Sequence, residues 1–83
     1  MLVYVVDDSS EMRFMIADRV RKVFPHAKIR RIPSGNEAVA SMKSEDDPIK
    51  LVVTDFMMPD GNGDVVLLGA REHLPGVPVV LVS

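Results

Sequence analysis

Leu51-Val52-Val53-Thr54-Asp55-Phe56-Met57-Met58-Pro59-Asp60-Gly61 is the stretch on which the fold turns. Its first four residues, three apolar ones and a β-branched threonine, read as a strongly buried strand. An aspartate follows at once. Pro59, Gly61 and Gly63 then punctuate a loop, and residues 65–74 read as a helix stopped by Pro75-Gly76. The same succession stands earlier in the chain. Leu2 to Val6 is apolar, Asp7 and Asp8 follow it, and Ser9 and Ser10 offer caps to a helix carrying Met12, Met15, Ile16, Val20 and Val23 at helical spacing.

Working outward, Pro25 ends that helix, because it cannot donate to the ladder and clashes with the preceding turn. Lys28 to Ile32 alternates and is more polar, which suits an edge strand. Ser34-Gly35-Asn36-Glu37 is a capping box opening a helix over Ala38, Val39 and Met42. Residues 44–50 form a polar loop, and Val79 to Val82 is a further apolar strand followed by Ser83. The order β-α-β-α-β-α-β predicts an α/β fold: a doubly wound parallel sheet with right-handed crossovers and helices on both faces.

Composition narrows the function classes. At 83 residues, 47% hydrophobic and 27% charged, the chain is an ordinary globular domain of small size. A net charge of −2 supplies no basic field, so direct nucleic-acid binding by this segment is not expected. Arg19, Arg21, Lys22, Lys28, Arg30 and Arg31 read as a solvated face. The absence of cysteine excludes disulfides and thiolate metal sites. No apolar run reaches the ~20 residues that span a bilayer, and Met1 to Val6 lacks a basic leader, so a soluble, cytoplasmic protein without membrane association is the expectation.

The chemistry is concentrated in aspartates. In a parallel sheet all strand C-termini share one edge. If the first and third strands are neighbours at a topological switch point, Asp7, Asp8 and Asp55 fall in one crevice. Like charges so close repel unless a cation lies among them. Hard oxygens without His or Cys suit Mg²⁺ rather than zinc. The plainer alternative makes Asp7 and Asp8 turn residues and Asp55 the opening of a turn. His26 and His73 have no partner motif and read as surface residues, the Met57-Met58 pair as loop packing, and Gly61-Asn62-Gly63 as a turn leading into a helix rather than a phosphate cradle.

The runs Val5-Val6-Asp7-Asp8-Ser9, Thr54-Asp55-Phe56-Met57-Met58-Pro59-Asp60-Gly61 and Pro78-Val79-Val80-Leu81-Val82-Ser83 resemble three successive signatures of response regulator receiver domains. That resemblance, to a chemotaxis-regulator-like receiver of two-component signalling, covers the whole chain. It implies the flavodoxin-like strand order 2-1-3-4-5. It also implies that Asp55 accepts a phosphoryl group from a sensor histidine kinase or phosphotransfer protein. Asp8 and Asp55 would hold Mg²⁺ directly, Asp7 mainly through water, and the Met57 backbone carbonyl would add a ligand. Ser83 would contact the phosphoryl group and act as the switch towards a downstream output domain or protein. Such a module is not an enzyme in the ordinary sense, since it catalyses only its own phosphorylation and dephosphorylation.

The sequence departs from the receiver pattern after the fourth strand. Residues 1–83 read as one receiver domain, incomplete at the C-terminus, lacking the last helix, strand and helix and the lysine of the fifth strand. Lys22, Lys28, Lys43 and Lys50 lie in the wrong segments to replace it. A bare apolar fourth strand predicts a homo-oligomer or a longer parent chain. Two other functions compete: an interaction or dimerisation module without phosphorylation, and an aspartate-dependent phosphatase. The latter class is disfavoured because Met57, not an aspartate, stands two residues after Asp55.

Overall fold

The computed structural model describes residues 1–82, and the expectation for Ser83 lies outside them. Seven elements alternate: β1 (Leu2–Val6), α1 (Ser10–Val23), β2 (Lys28–Ile32), α2 (Gly35–Ser44), β3 (Ile49–Asp55), α3 (Gly63–His73) and β4 (Val79–Val82). The strands form one parallel sheet in the order β2-β1-β3-β4. The expected class and the neighbouring of β1 and β3 are therefore both present.

Because successive strand residues point to opposite faces, β1 feeds two cores. Leu2, Tyr4 and Val6 pack with Ala38, Met42, Val66 and Ala70 beneath α2 and α3. Val3 and Val5 pack with Ala27 and Val53, and with Ile16 and Val20 of α1. Burying such side chains favours the fold by ~1.5–3 kcal/mol each. The apolar stripe expected on α1 is only partly used, since Ile16 and Val20 pack and Ala17 is buried, whereas Met12, Met15 and Val23 stay exposed. Among the described residues β4 lies at the sheet edge with Val80 and Leu81 exposed.

Two boundaries moved. β3 begins at Ile49, so the polar loop is shorter than residues 44–50. Ile49 pairs with Leu2 and Leu51 with Val3, leaving Lys50 as the extra residue of a register shift that the strand pattern conceals. α3 begins at Gly63, where the Asn62 side chain accepts from the Asp64 and Val65 N–H groups. The capping box at α2 is half made: Ser34 Oγ accepts from Glu37 N at 3.1 Å, and its hydroxyl meets Glu37 Oε2 at 3.2 Å.

α2 and α3 touch through a small residue. A Cβ on Gly69 would lie 2.5 Å from Val39 Cγ2. Gly69→Val is expected to cost about 2 kcal/mol through overpacking, and Val39→Ala to recover part of it. Urea unfolding of the two variants and their double checks this.

The basic stretch is exposed as expected, except for Arg30. Its Nε and Nη2 donate to Glu45 Oε1 at 2.9 Å and Oε2 at 3.3 Å. The buried Tyr4 hydroxyl also donates to Glu45, at 3.2 Å, and lies 2.7 Å from Ser41 Oγ. Tyr4 has one proton to give, so Ser41 donates to it. Arg30 holds the Glu45 carboxyl at about 2, down from 4.5. A depressed carboxyl favours the folded state above its unfolded value and ceases to do so as pH falls through its folded one. Between pH 4.5 and about 2, Glu45→Gln is therefore expected to remove part of the acid-dependent loss of stability. Thermal unfolding at stepped pH reads the difference, and parallel curves for parent and variant would refute it.

Candidate metal centre

The C-terminal edge of the sheet is set by register. Val6 pairs with Thr54, and Asp55 with Val82, so the residues just after β1 and at the end of β3 stand side by side. One carboxylate oxygen each from Asp7, Asp8 and Asp55 lies within 4.8 Å of the others. The three acids are thus brought together as expected, and Asp7 also makes a turn contact through its Oδ1 to Ser9 N.

Each acid has a different setting. Asp7 is 4% exposed; its N–H donates to Ile32 O at 3.1 Å, and its Oδ1 accepts from Ser9 N at 2.9 Å. Arg13 Nη1 reaches the Asp7 carbonyl at 2.6 Å, tying the first turn of α1 to the end of β1. Burial pushes the Asp7 carboxyl above its ordinary range; the Ser9 N–H opposes this, and the charges of Asp55 and Asp8 reinforce it. Asp8 is exposed and Asp55 half-buried. Asp55 Oδ1 accepts from Phe56 N at 2.9 Å, while its Oδ2 carries no hydrogen bond among the described residues. Thr54, fully buried, donates through Oγ1 to the Asp55 carbonyl at 2.9 Å.

The donor set fits a hard divalent cation. It offers oxygen alone, and neither histidine joins the group: His26 is exposed and His73 half-buried beside Glu72. Carboxylate oxygens gathered within 4.8 Å are close enough for one hard cation to be shared among them. No lysine pairs with the trio among the described residues; Lys22 and Lys28 are taken by Asp18 and Asp47.

The loop after Asp55 corrects one expectation. Met58 packs into the core at 6% exposure, but the Met57 side chain is 74% exposed and packs little. Arg13 carries no sequence signal for this role, being a surface-type residue whose contact is with a backbone carbonyl.

Residues 3–83 match the profile of the family described as "Response regulator receiver domain". Among curated proteins, nothing matches. Among solved structures, the receiver domain from hybrid histidine kinase CckA is similar at a TM-score of 0.79 and 23% identity, over 98% of this chain and 73% of that one. The MaeR response regulator bound to beryllium trifluoride is similar at 0.81 and 23%, over 99% and 66%. The N-terminal domain of a response regulator/sensory box/GGDEF 3-domain protein from Carboxydothermus hydrogenoformans is similar at 0.81 and 22%, over 98% and 62%. At these identities the likeness concerns the fold alone, and the chain spans between 62% and 73% of the length of those three. No described helix is long and apolar enough to cross a membrane. With the family profile matched from residue 3 to residue 83, the chain belongs to the response regulator receiver domain family.

Proposed function

We propose that this receiver domain is a phosphoacceptor signalling module in which Asp55 takes a phosphoryl group from a histidine kinase or phosphotransfer protein with Mg²⁺ bound. The observation that carries the reading is the meeting of Asp7, Asp8 and Asp55 within 4.8 Å. Asp8 and Asp55 would hold the cation directly, Asp7 through water, and the Met57 carbonyl would complete the protein ligands. A bound Mg²⁺ supplies charge neutralisation, without which a carboxylate is a poor nucleophile towards an anionic phosphoryl group.

The chain's own residues do the rest. Phe56 N–H holds Asp55 Oδ1 and limits rotation of the carboxylate, leaving Oδ2 to attack. The new bond joins Oδ2 to phosphorus as the phosphorus–nitrogen bond of the donor histidine breaks. The imidazole leaves with the electron pair and takes a proton. Asp7, fixed by the Ser9 N–H and by Arg13 on its carbonyl, keeps the first strand end in place. Met57 sets no second carboxylate beside the nucleophile, which argues for a stored aspartyl phosphate over rapid turnover of external esters. An output domain or protein reading that state, and a cytoplasmic location shared with the kinase, belong to the same proposal.

Intact mass after treatment with Mg²⁺ and a small phosphodonor tests it. One phosphate adduct, absent when EDTA is added, is the expected result. Turnover of an external phosphoester would favour the phosphatase reading, and an unmodified protein would favour the interaction module.

A further inference from the structure

The connection between β3 and α3 is fastened in several ways. Gly63 N donates to Phe56 O at 2.8 Å, closing the loop on itself, and Met58 anchors it in the core. The third fastening comes from α2. Gly35 N donates to Gly61 O and Asn36 N to Asp60 O, both at 3.1 Å. Asn36 Nδ2 adds a bond to Asp60 Oδ1 at 2.8 Å. The approach is close enough that a Cβ on Gly35 would sit 2.1 Å from Gly61 O, and Gly61 itself has φ +85. Gly35 and Asn36 open α2, where N–H groups have no partner within the helix. Here they are spent on the loop rather than on water.

The side-chain bond asks for a separate explanation. Asn36 and Asp60 are both exposed, and exposed polar pairs contribute little to stability. Their position is more informative. Asp60 ends the segment 55–60, whose start is the Asp55 carboxylate and whose middle holds Met57. With Met58 buried and Asp60 clasped, the backbone at Met57 is pinned on its far side by two adjacent attachments. A loop already ordered loses less conformational entropy when it engages a ligand.

We propose that Asn36 and Asp60 are positioning residues, a clasp through which α2 holds the β3–α3 loop ready for the cation and so sets its affinity without touching it. The inference rests on the metal reading above. Charge assists the bond, because its acceptor is a carboxylate.

Isothermal titration with Mg²⁺ of the full chain, with thermal unfolding in EDTA alongside, provides the test. Asn36→Ala and Asp60→Ala are each expected to weaken Mg²⁺ binding by about threefold to tenfold, as for loss of one solvent-exposed hydrogen bond. The double variant should be no worse than the single ones, and Asp60→Asn, which keeps the Oδ1 acceptor but not its charge, should lose less than Asp60→Ala. A merely structural tie would lower the EDTA melting temperature and leave the affinity of the folded protein unchanged. Asp60→Ala attacks the bond from the loop side, so misfolding of one variant leaves the other to decide. If the parent binds Mg²⁺ and both single variants bind as tightly, the clasp is refuted. If the parent binds none, the metal reading falls and the clasp with it.

Discussion

Asp55→Asn is expected to reduce the phosphate adduct to background while leaving the fold intact. Asparagine keeps the carbonyl oxygen that accepts the Phe56 N–H, so the local hydrogen bond at 2.9 Å survives. It removes the nucleophilic oxygen, since an amide nitrogen does not form a stable phosphoryl bond under these conditions. It also removes one of three like charges gathered within 4.8 Å. Without metal, the variant should therefore melt no lower than the parent, and Mg²⁺ should stabilise it less. Intact mass and melting curves with and without Mg²⁺ read both halves. An adduct of undiminished yield, mapped to another residue, would end the assignment of Asp55.

The second large effect belongs to Asp8. Asp8→Ala removes a carboxylate from the proposed cation site, where few protein ligands would make each anionic oxygen carry much of the attraction. A loss of about tenfold or more in Mg²⁺ affinity is expected, against a millimolar-range parent value (on the order of 10⁻³ M). The raised Asp7 carboxyl adds a pH dependence. A group whose folded pKa is raised retains its proton to higher pH than when unfolded, so protons compete with the cation as pH falls. Mg²⁺ affinity should weaken on acidification, and less steeply in Asp7→Asn. Equal affinity in Asp8→Ala and parent would show that the ion, if bound, sits elsewhere.

Much of this was legible because the decisive signals are local. Leu2 to Val6 and Leu51 to Thr54 are continuous apolar runs that end in aspartates, and a parallel sheet must bring such ends to one edge. The start of β3 was less legible: Lys50 breaks the apolar run, although Ile49 beyond it is buried and paired with Leu2. Helical spacing on α1 counted apolar residues without knowing how wide a strip the sheet covers. It therefore grouped Ile16 with Met15, of which only the first packs. The Asn36–Asp60 clasp and the Tyr4–Glu45–Arg30 contacts leave no periodic trace. They join residues far apart in sequence through single hydrogen bonds, so only the folded arrangement reveals them.

β1 precedes the other strands in sequence yet lies inside the sheet, bonded to β2 on one side and to β3 on the other. During synthesis its five apolar residues leave the ribosome before either neighbour exists. At ordinary elongation rates the wait for β3 lasts on the order of seconds. Through that interval Leu-Val-Tyr-Val-Val is an unpaired segment of high β-propensity and no charge, the kind prone to aggregate. The two aspartates directly behind it, Asp7 and Asp8, set charge beside that segment, the arrangement by which gatekeeper residues oppose aggregation.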